Sequence, residues 1–137
     1  MTRKEFLSQV GKGGVALYLP TCIGTLASCS SNNVTPAPTH VDFTIDVSSG
    51  ALATNGGFLV KNGIIIARTT LGDFLAVAAS CTHEGTTIQY QSGSNNFRCP
   101  NHSSIFTASG QVTIGPANRA LTQYNTALTG ILLRVFS

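Results

Sequence analysis

Two cysteines and two histidines stand in two short groups, Cys-Thr-His at 81–83 and Cys-Pro-Asn-His at 99–102. One residue separates Cys81 from His83, fifteen separate His83 from Cys99, and two separate Cys99 from His102. Thiolates and imidazoles are the ligands that hold zinc, or that divide between them the two irons of an iron–sulfur cluster. The four side chains therefore predict one metal site assembled from two loops.

The spacing favours iron over zinc, which stays the alternative. Zinc fingers and ribbons usually bind through Cys-x-x-Cys and His-x₃₋₅-His pairs, and a Cys-x-His group followed by Cys-x-x-His does not fit that spacing. In an oxidised two-iron cluster, two sulfides and two thiolates balance the ferric charge, whereas four thiolates leave a dianion. A neutral centre takes up an electron more easily, so this ligand set predicts a reduction potential between about −150 and +300 mV.

The ligand groups and the residues after them resemble the Rieske family of [2Fe–2S] proteins over roughly residues 75–125. Gly85 closes the first loop and Pro100 stiffens the second, as in that family. Downstream, the resemblance continues through Phe106, Gly110, Val112, Gly115-Pro116-Ala117, Leu121 and Tyr124. It implies one [2Fe–2S] cluster per chain, with the two cysteines on one iron, the two histidines on the other, and the Gly-Pro-Ala segment as a third loop covering the cluster.

The first departure from the best-known relatives concerns the two loops. Rieske subunits of cytochrome bc complexes join their loops by a disulfide, and the matching positions here are Thr86 and Asn101, which cannot form one. Those subunits carry an apolar Leu where this chain has Glu84. A carboxylate beside His83 is expected to stabilise the oxidised cluster, lower its potential and make docking into an apolar pocket costly.

Two more positions are implied to tune the cluster. Ser104 matches a Ser that donates a hydrogen bond to a bridging sulfide in high-potential members, which would raise the potential. Phe106 stands where those members have a Tyr that donates to a cysteine sulfur; Phe cannot donate and also suits the core. On balance we expect a potential below that of the quinol-oxidising members.

Residues 1–28 predict an export signal rather than part of the fold. Basic residues precede a broken apolar stretch that ends in Leu-Ala-Ser-Cys at 26–29, which resembles the lipobox of bacterial lipoproteins and predicts a lipid on Cys29. Residues 2–7 resemble a twin-arginine signal with Lys in place of the second Arg, so both twin-arginine and Sec export stay open. The alternative is a retained membrane helix, for which the apolar run is short of the required length of about 20 residues.

Composition and charge bound the rest of the chain. The net charge of +3 over 137 residues comes mostly from the signal, so the basic balance is no indication of nucleic-acid binding. Residues 29–39 predict a lipidated Cys followed by a flexible linker rich in Ser, Asn, Thr and Pro, and residues 40–137 predict the Rieske domain. His40, at the end of the linker, is expected to be a solvated loop residue.

The domain is predicted to be all-β. Apolar and polar residues alternate over 41–47, two apolar runs flank the hairpin-forming pair Asn62-Gly63, and the run 74–79 leads directly to Cys81. Other strands are predicted over 87–90, 97–98, 123–127 and 131–136, with the apolar triplets 64–66 and 131–133 in the core. The resemblance implies a Rieske-type antiparallel β sandwich or base with a small cluster-binding subdomain at about 80–118.

These features predict a single-electron carrier, exported to the bacterial cell envelope and anchored to a membrane by lipid, that passes electrons between redox proteins such as a quinol-linked complex or a cytochrome. Three alternatives stay open: the Rieske subunit of a quinol-oxidising or arsenite-oxidase-like complex, the ferredoxin of an oxygenase system, and a non-redox structural lipoprotein. No stand-alone catalytic pair is apparent, so an oxidoreductase role is expected only as part of a larger electron-transfer system.

Overall fold

The computed structural model describes residues 34–137, so the predicted export signal, Cys29 and the start of the linker lie outside the described residues. In chain order the strands are β1 (Asp42–Asp46), β2 (Phe58–Lys61), β3 (Ile64–Arg68), β4 (Phe74–Ala78), β5 (Gln89–Gln91), β6 (Asn96–Arg98), β7 (Ile105–Thr107), β8 (Val112–Ile114), β9 (Asn125–Thr129) and β10 (Leu132–Phe136). A three-residue 3₁₀ turn, Ala51–Ala53, is the helical element of this part of the chain. The all-β prediction is confirmed, and no helix within 34–137 has the length and hydropathy needed to cross a membrane.

The strands form three antiparallel sheets. Their orders are β1-β10-β9, β2-β3-β4 and β5-β6-β7-β8. The edge strand β4 meets the chain just before β9, where the Tyr124 N–H donates to the Ala76 carbonyl at 2.9 Å and Val77 forms an isolated bridge with Gln123. The first two sheets therefore join into one base, and the third sheet carries the second predicted ligand group.

The β2–β3 hairpin shows how the sequence sets the register of the base. Asn62 and Gly63 both have positive φ, 53° and 76°. Two consecutive left-handed residues match the right-handed twist of the flanking strands, which is why Asn-Gly favours this turn. The turn pairs Lys61 with Ile64 and confirms the predicted hairpin.

Strand β3 lies between two hydrophobic cores. Ile64 and Ile66 contribute to the core shared with β1 and β10, whereas Ile65 and Ala67 face the core that contains the third sheet. Successive side chains of a strand point to opposite faces, so a strand covered on both faces is apolar throughout. The prediction that the triplet 64–66 lies in the core is confirmed, since all three residues are fully buried.

The second apolar triplet was assigned to the core incorrectly. Leu133 is 1% exposed, but Ile131 and Leu132 are 54% and 49% exposed. Ile131 precedes β10, and along that strand buried and exposed residues alternate because one of its two faces is in solvent. Strands β7 and β8 were not predicted, because three-residue strands are too short to establish a period of two.

Residues 34–38 lie against the domain, which shortens the stretch expected to be a flexible linker. The Tyr124 hydroxyl donates to the Pro38 carbonyl at 2.7 Å, and Ala37 packs against the core shared by the first two sheets. A buried tyrosine usually finds such a hydrogen-bond partner. His40 is exposed, as expected for a loop residue, and has a positive φ of 55°.

Candidate metal centre

Two loops bring the four predicted ligands together. The first ligand loop, residues 80–87, follows β4 and is closed by a bridge between Ser80 and Thr87. The second ligand loop, residues 99–104, connects β6 and β7, whose last pair before the loop is Arg98 with Ile105. Both loops therefore begin at the ends of hydrogen-bonded strands, which hold their first residues firmly.

The two loops share one backbone pattern. The Cys81 N–H donates to the Thr86 carbonyl and the Gly85 N–H to the Cys81 carbonyl, both at 2.8 Å. In the second loop the Cys99 N–H donates to the Ser104 carbonyl at 2.8 Å, and the Ser103 N–H donates to the Cys99 carbonyl at 3.0 Å.

In both loops the residue four places after the cysteine has a positive φ. It is Gly85 in the first loop, at 77°, and Ser103 in the second, at 61°. Glycine adopts this conformation without steric cost, whereas Ser103 pays that cost and its hydroxyl accepts a hydrogen bond from Arg98 at 3.0 Å. Each loop thus presents a cysteine at its base and a histidine near its tip.

The cysteines form the buried end of the site. Cys81 is 0% and Cys99 2% exposed, both are free thiols, and both belong to the core that contains Ile65 and Phe97. Burial raises the pKa of the Cys81 thiol, and the nearby Cys99 contributes in the same direction. Two neighbouring thiols in an apolar environment become stable thiolates when a metal compensates their charge.

The histidines form the outer end. The rings of His83 and His102 lie edge to face, with centroids 5.0 Å apart and planes at 82°. His83 Nδ1 is buried and has no hydrogen-bond partner among the described residues. Because a buried polar nitrogen without a partner is costly, this atom is the one that a ligand or metal would satisfy.

Glu84 joins the outer end of the site. Its Oε2 accepts hydrogen bonds from Asn101 Nδ2 at 2.8 Å and from His102 Nε2 at 3.0 Å. These contacts, His102 first, hold the pKa of the Glu84 carboxyl below its usual value. A ligand atom from each of His83, Glu84 and His102 lies within 4.8 Å of the other two, but the Glu84 oxygen is already engaged by two donors.

A third loop, residues 115–119, covers the site from the side. The Ala117 N–H donates to Ser104 Oγ at 3.0 Å, and the hydroxyl of Thr82 donates to the Arg119 carbonyl at 2.7 Å. Ser104 is fully buried. The third loop is therefore tied once to each ligand loop.

An open cleft of about 750 Å³ lies beside His83. Its lining combines the third loop with the start of the described chain, and comprises Val34, Pro36, Thr82, His83, Pro116, Asn118 and Arg119. The His83 edge of the site is thus accessible to a partner, while the cysteine edge is sealed by the core.

The site residues named from the sequence within 34–137 fall into two groups. His83, Glu84 and His102 each place a ligand atom within 4.8 Å of the other two, and Cys81, Cys99 and the fully buried Phe106 belong to one core. Ser104, fully buried, ends the second ligand loop. Sequence reasoning missed the direct bond from His102 to Glu84 and the roles of Thr82 and Ala117 in holding the third loop. These contacts join residues far apart in the chain, so no local sequence pattern predicts them.

The donor set fits a two-iron cluster. Two neighbouring thiols are buried, two imidazoles pack edge to face, and the buried Nδ1 of His83 has no hydrogen-bond partner among the described residues. A family model of the Rieske [2Fe-2S] domain matches residues 38–125. The chain therefore belongs to the Rieske family of electron-transfer proteins, whose cofactor is a [2Fe–2S] cluster.

Among curated proteins, the chain is similar to iron–sulfur subunits of cytochrome b6-f complexes. It is 40% identical over 52 residues to the subunit of Synechococcus sp. (strain JA-3-3Ab), a match that covers 38% of this chain and 30% of the relative. With the subunit of Synechococcus sp. (strain JA-2-3B'a(2-13)) it shares 30% identity over 120 residues, covering 88% of this chain and 63% of the relative. The chain thus matches less than a third of the length of the first of these relatives.

Among solved structures, the chain is similar to the plasma membrane Rieske protein PetC3 of Synechocystis PCC 6803, with 28% identity and a TM-score of 0.51 over 59% of this chain and 85% of that protein. The ferredoxin of carbazole 1,9a-dioxygenase from Nocardioides aromaticivorans IC177 has the same fold, with a TM-score of 0.57 at 18% identity over 72% of this chain and 98% of the ferredoxin.

Proposed function

We propose that the chain is a membrane-anchored, single-electron carrier whose cluster is held by Cys81 and Cys99 on the inner iron and by His83 and His102 on the outer iron. The observation that carries this assignment is the buried Nδ1 of His83, which has no hydrogen-bond partner among the described residues and belongs to a ring 5.0 Å from that of His102. The two buried cysteines begin the same two loops. A resident metal centre requires a complete set of donors, each with an atom free to bind the metal.

The residues around the ligands give the two ends of the site different properties. When bound, a [2Fe–2S] cluster supplies the one-electron redox chemistry. The apolar core around the cysteines excludes water from one side, and the open cleft leaves His83 accessible on the other. One electron enters from a reduced redox protein and leaves to an oxidised one, and the histidine edge is the shortest path for both.

Metal analysis and EPR spectroscopy of the full chain, purified from membranes, test the assignment. We expect two iron and two acid-labile sulfide per chain, a Rieske-type EPR signal after reduction, and a midpoint potential below that of quinol-oxidising members because of Glu84 and Phe106. Cys81→Ser and His83→Ala should each lose the cluster, because each removes one of four ligands.

The matched control is His40→Ala, which removes an exposed imidazole outside the site and should leave metal content and the EPR signal unchanged. Stoichiometric zinc without an EPR signal would overturn the proposal in favour of the zinc alternative. Retention of a full cluster by His83→Ala would overturn the ligand assignment while leaving the cofactor in place.

The lipid anchor on Cys29 is part of the same proposal. A lipid on Cys29 would attach the domain to a membrane of the cell envelope, and the similarity to the plasma membrane Rieske protein supports membrane association. Lipobox processing attaches more than one acyl chain, which stable anchoring needs. Mass spectrometry of the purified chain should find an acylated N-terminal Cys29, and Cys29→Ala should release the protein from the membrane fraction.

A second candidate function is supported by the relatives named as cytochrome b6-f subunits. In that case the chain would be part of a quinol-oxidising complex rather than a free carrier. Native electrophoresis of gently solubilised membranes distinguishes the two, since a complex subunit migrates with its partners and a carrier migrates alone. Glu84, on the accessible edge, favours the free carrier because an apolar quinol pocket would have to desolvate its carboxylate.

A further inference from the structure

One oxygen atom connects the two ligand loops. Glu84 Oε2, in the first ligand loop, accepts a hydrogen bond from Asn101 Nδ2 at 2.8 Å and another from His102 Nε2 at 3.0 Å, both in the second ligand loop. The backbone hydrogen bonds of residues 80–87 and 99–104 stay within each loop, so none of those in the described chain crosses from one loop to the other. The Glu84 carboxylate is therefore the polar link between the two loops.

The same contact sets the tautomer and the direction of the His102 ring. An ionised carboxylate can only accept, so His102 Nε2 carries the proton that is donated to it. In a neutral imidazole this leaves the lone pair on Nδ1. Outer hydrogen bonds of this kind orient histidine ligands at metal sites.

His83 is held differently. Its Nδ1 is buried and unpartnered, and the ring lines the open cleft with Thr82 and Arg119 instead of contacting a carboxylate within hydrogen-bond distance. The two imidazoles are thus inequivalent: the exposed His102 is tied back to the first loop by Glu84, and the partly buried His83 lines the cleft.

We infer that Glu84 is a positioning residue, which ties the ligand loops together and fixes His102 Nδ1 toward the cluster. The inference rests on the proposed function, because it assumes that the two histidines bind the outer iron. The charge of Glu84 is expected to lower the reduction potential. The inference adds a mechanical role, linking the two loops, that the charge alone would not give.

Two substitutions separate the mechanical role from the charge. Asn101→Ala cuts one loop contact but keeps the carboxylate on His102, so it should speed release of iron to a chelator with little change in midpoint potential. Glu84→Gln removes the charge but keeps an acceptor oxygen, so it should raise the midpoint potential and speed release less than Glu84→Ala. Since the contacts are half exposed, we expect release to accelerate about two- to fivefold in Glu84→Ala.

The matched control is Asp73→Asn, which removes an exposed carboxylate at the opposite end of β4 from the first ligand loop and should change neither quantity. Asn101→Ala combined with Glu84→Ala should release iron no faster than Glu84→Ala alone, because both act through one link. A spectroscopic measurement is independent of the release rate and the midpoint potential. In reduced Glu84→Ala, the nitrogen hyperfine couplings of one histidine should broaden.

The outcomes distinguish this inference from the proposed function. A wild-type protein without a [2Fe–2S] EPR signal overturns the proposed function. A wild-type protein with the signal, combined with a Glu84→Ala variant whose release rate and hyperfine couplings match those of Asp73→Asn, overturns this inference alone. A Glu84→Ala variant that folds by circular dichroism but cannot hold the cluster supports it.

Discussion

Ser104, which the family resemblance predicts to tune the cluster, has a second role in the scaffold. Its Oγ accepts the Ala117 N–H at 3.0 Å and is fully buried, so it holds the third loop against the second ligand loop. The hydroxyl hydrogen is directed to no acceptor in the described hydrogen bonds, which leaves it free to donate toward the cluster, as the family resemblance implies. A residue that the sequence predicts to tune the potential is therefore a structural link between two loops.

Ser104→Ala should affect both roles. Loss of the acceptor leaves the buried Ala117 N–H unpaired, at a cost of about 1–3 kcal/mol. The midpoint of urea unfolding of the holoprotein should fall, and the redox midpoint should fall too, since a donor to the cluster is lost. Ser94→Ala, which alters an exposed turn serine, is the control. A variant with a lowered redox midpoint but wild-type unfolding would contradict the structural half of the prediction.

At the residue scale, candidate ligands could be named from the sequence, but the further contacts of their side chains could not. Cysteine and histidine spacing carries the chemistry within a few positions of the chain. The contact of Glu84 with His102 joins residues 18 apart, and the contact of Thr82 with Arg119 joins residues 37 apart. Such contacts depend on how separate loops meet, which is a property of the packed fold.

At the scale of elements, prediction succeeded where a strand or turn has a local cause. The Asn62-Gly63 hairpin and the alternating strand β1 follow from backbone preference and period. It failed for β7 and β8, whose three residues pair only because β6 already presents an edge. It failed as well for Ile131 and Leu132, because hydrophobicity alone does not tell which face of a sheet is covered.

The β7–β8 turn offers a test of how an element fixes its neighbours. Gly110 has a φ of +89°, and a Cβ there would lie 2.7 Å from the Leu121 carbonyl oxygen. Gly130 has a similar φ of +62°, but a Cβ there would meet nothing within 4 Å. The two glycines thus share the backbone cost of about 1–2 kcal/mol for an L residue and differ in the steric clash.

Gly110→Ala should therefore destabilise the protein more than Gly130→Ala, by about 1–3 kcal/mol for the backbone shift that the clash demands. Urea unfolding of the two variants, compared with wild type, measures the difference. The Gly110 carbonyl also accepts from the Leu121 N–H at 2.8 Å, so the shift should loosen the segment that follows the third loop. Equal unfolding midpoints for the two variants would contradict the close approach of Gly110 to Leu121.

At the scale of the whole molecule, the described part of the chain begins beside the candidate metal centre. The β9–β10 hairpin lies at the opposite end of the domain. Val34 and Pro36 line the cleft next to His83. The chain leading into β9 runs antiparallel to β4, as the bridge between Val77 and Gln123 shows, so the β9–β10 turn at Gly130 lies at the end of the base away from the ligand loops. The fold therefore has a cluster end, where the chain enters, and a distal end with the exposed Leu128, Ile131 and Leu132.

If Cys29 carries the lipid that we propose, this polarity predicts which end of the domain faces the membrane. Cys29 precedes Val34 by five residues, and five residues of chain reach at most about 18 Å. The full chain, reconstituted in vesicles with a headgroup-labelled photocrosslinking lipid, should cross-link at 34–36 and 116–119 rather than at the distal hairpin 128–132. Inserting a flexible Gly-Ser segment of about ten residues after Asn33 should weaken this preference, because a longer tether restrains the domain less. Cross-links concentrated at 128–132 would mean that the exposed apolar hairpin, and not the tether, orients the protein, and would place the cluster away from partners within the membrane.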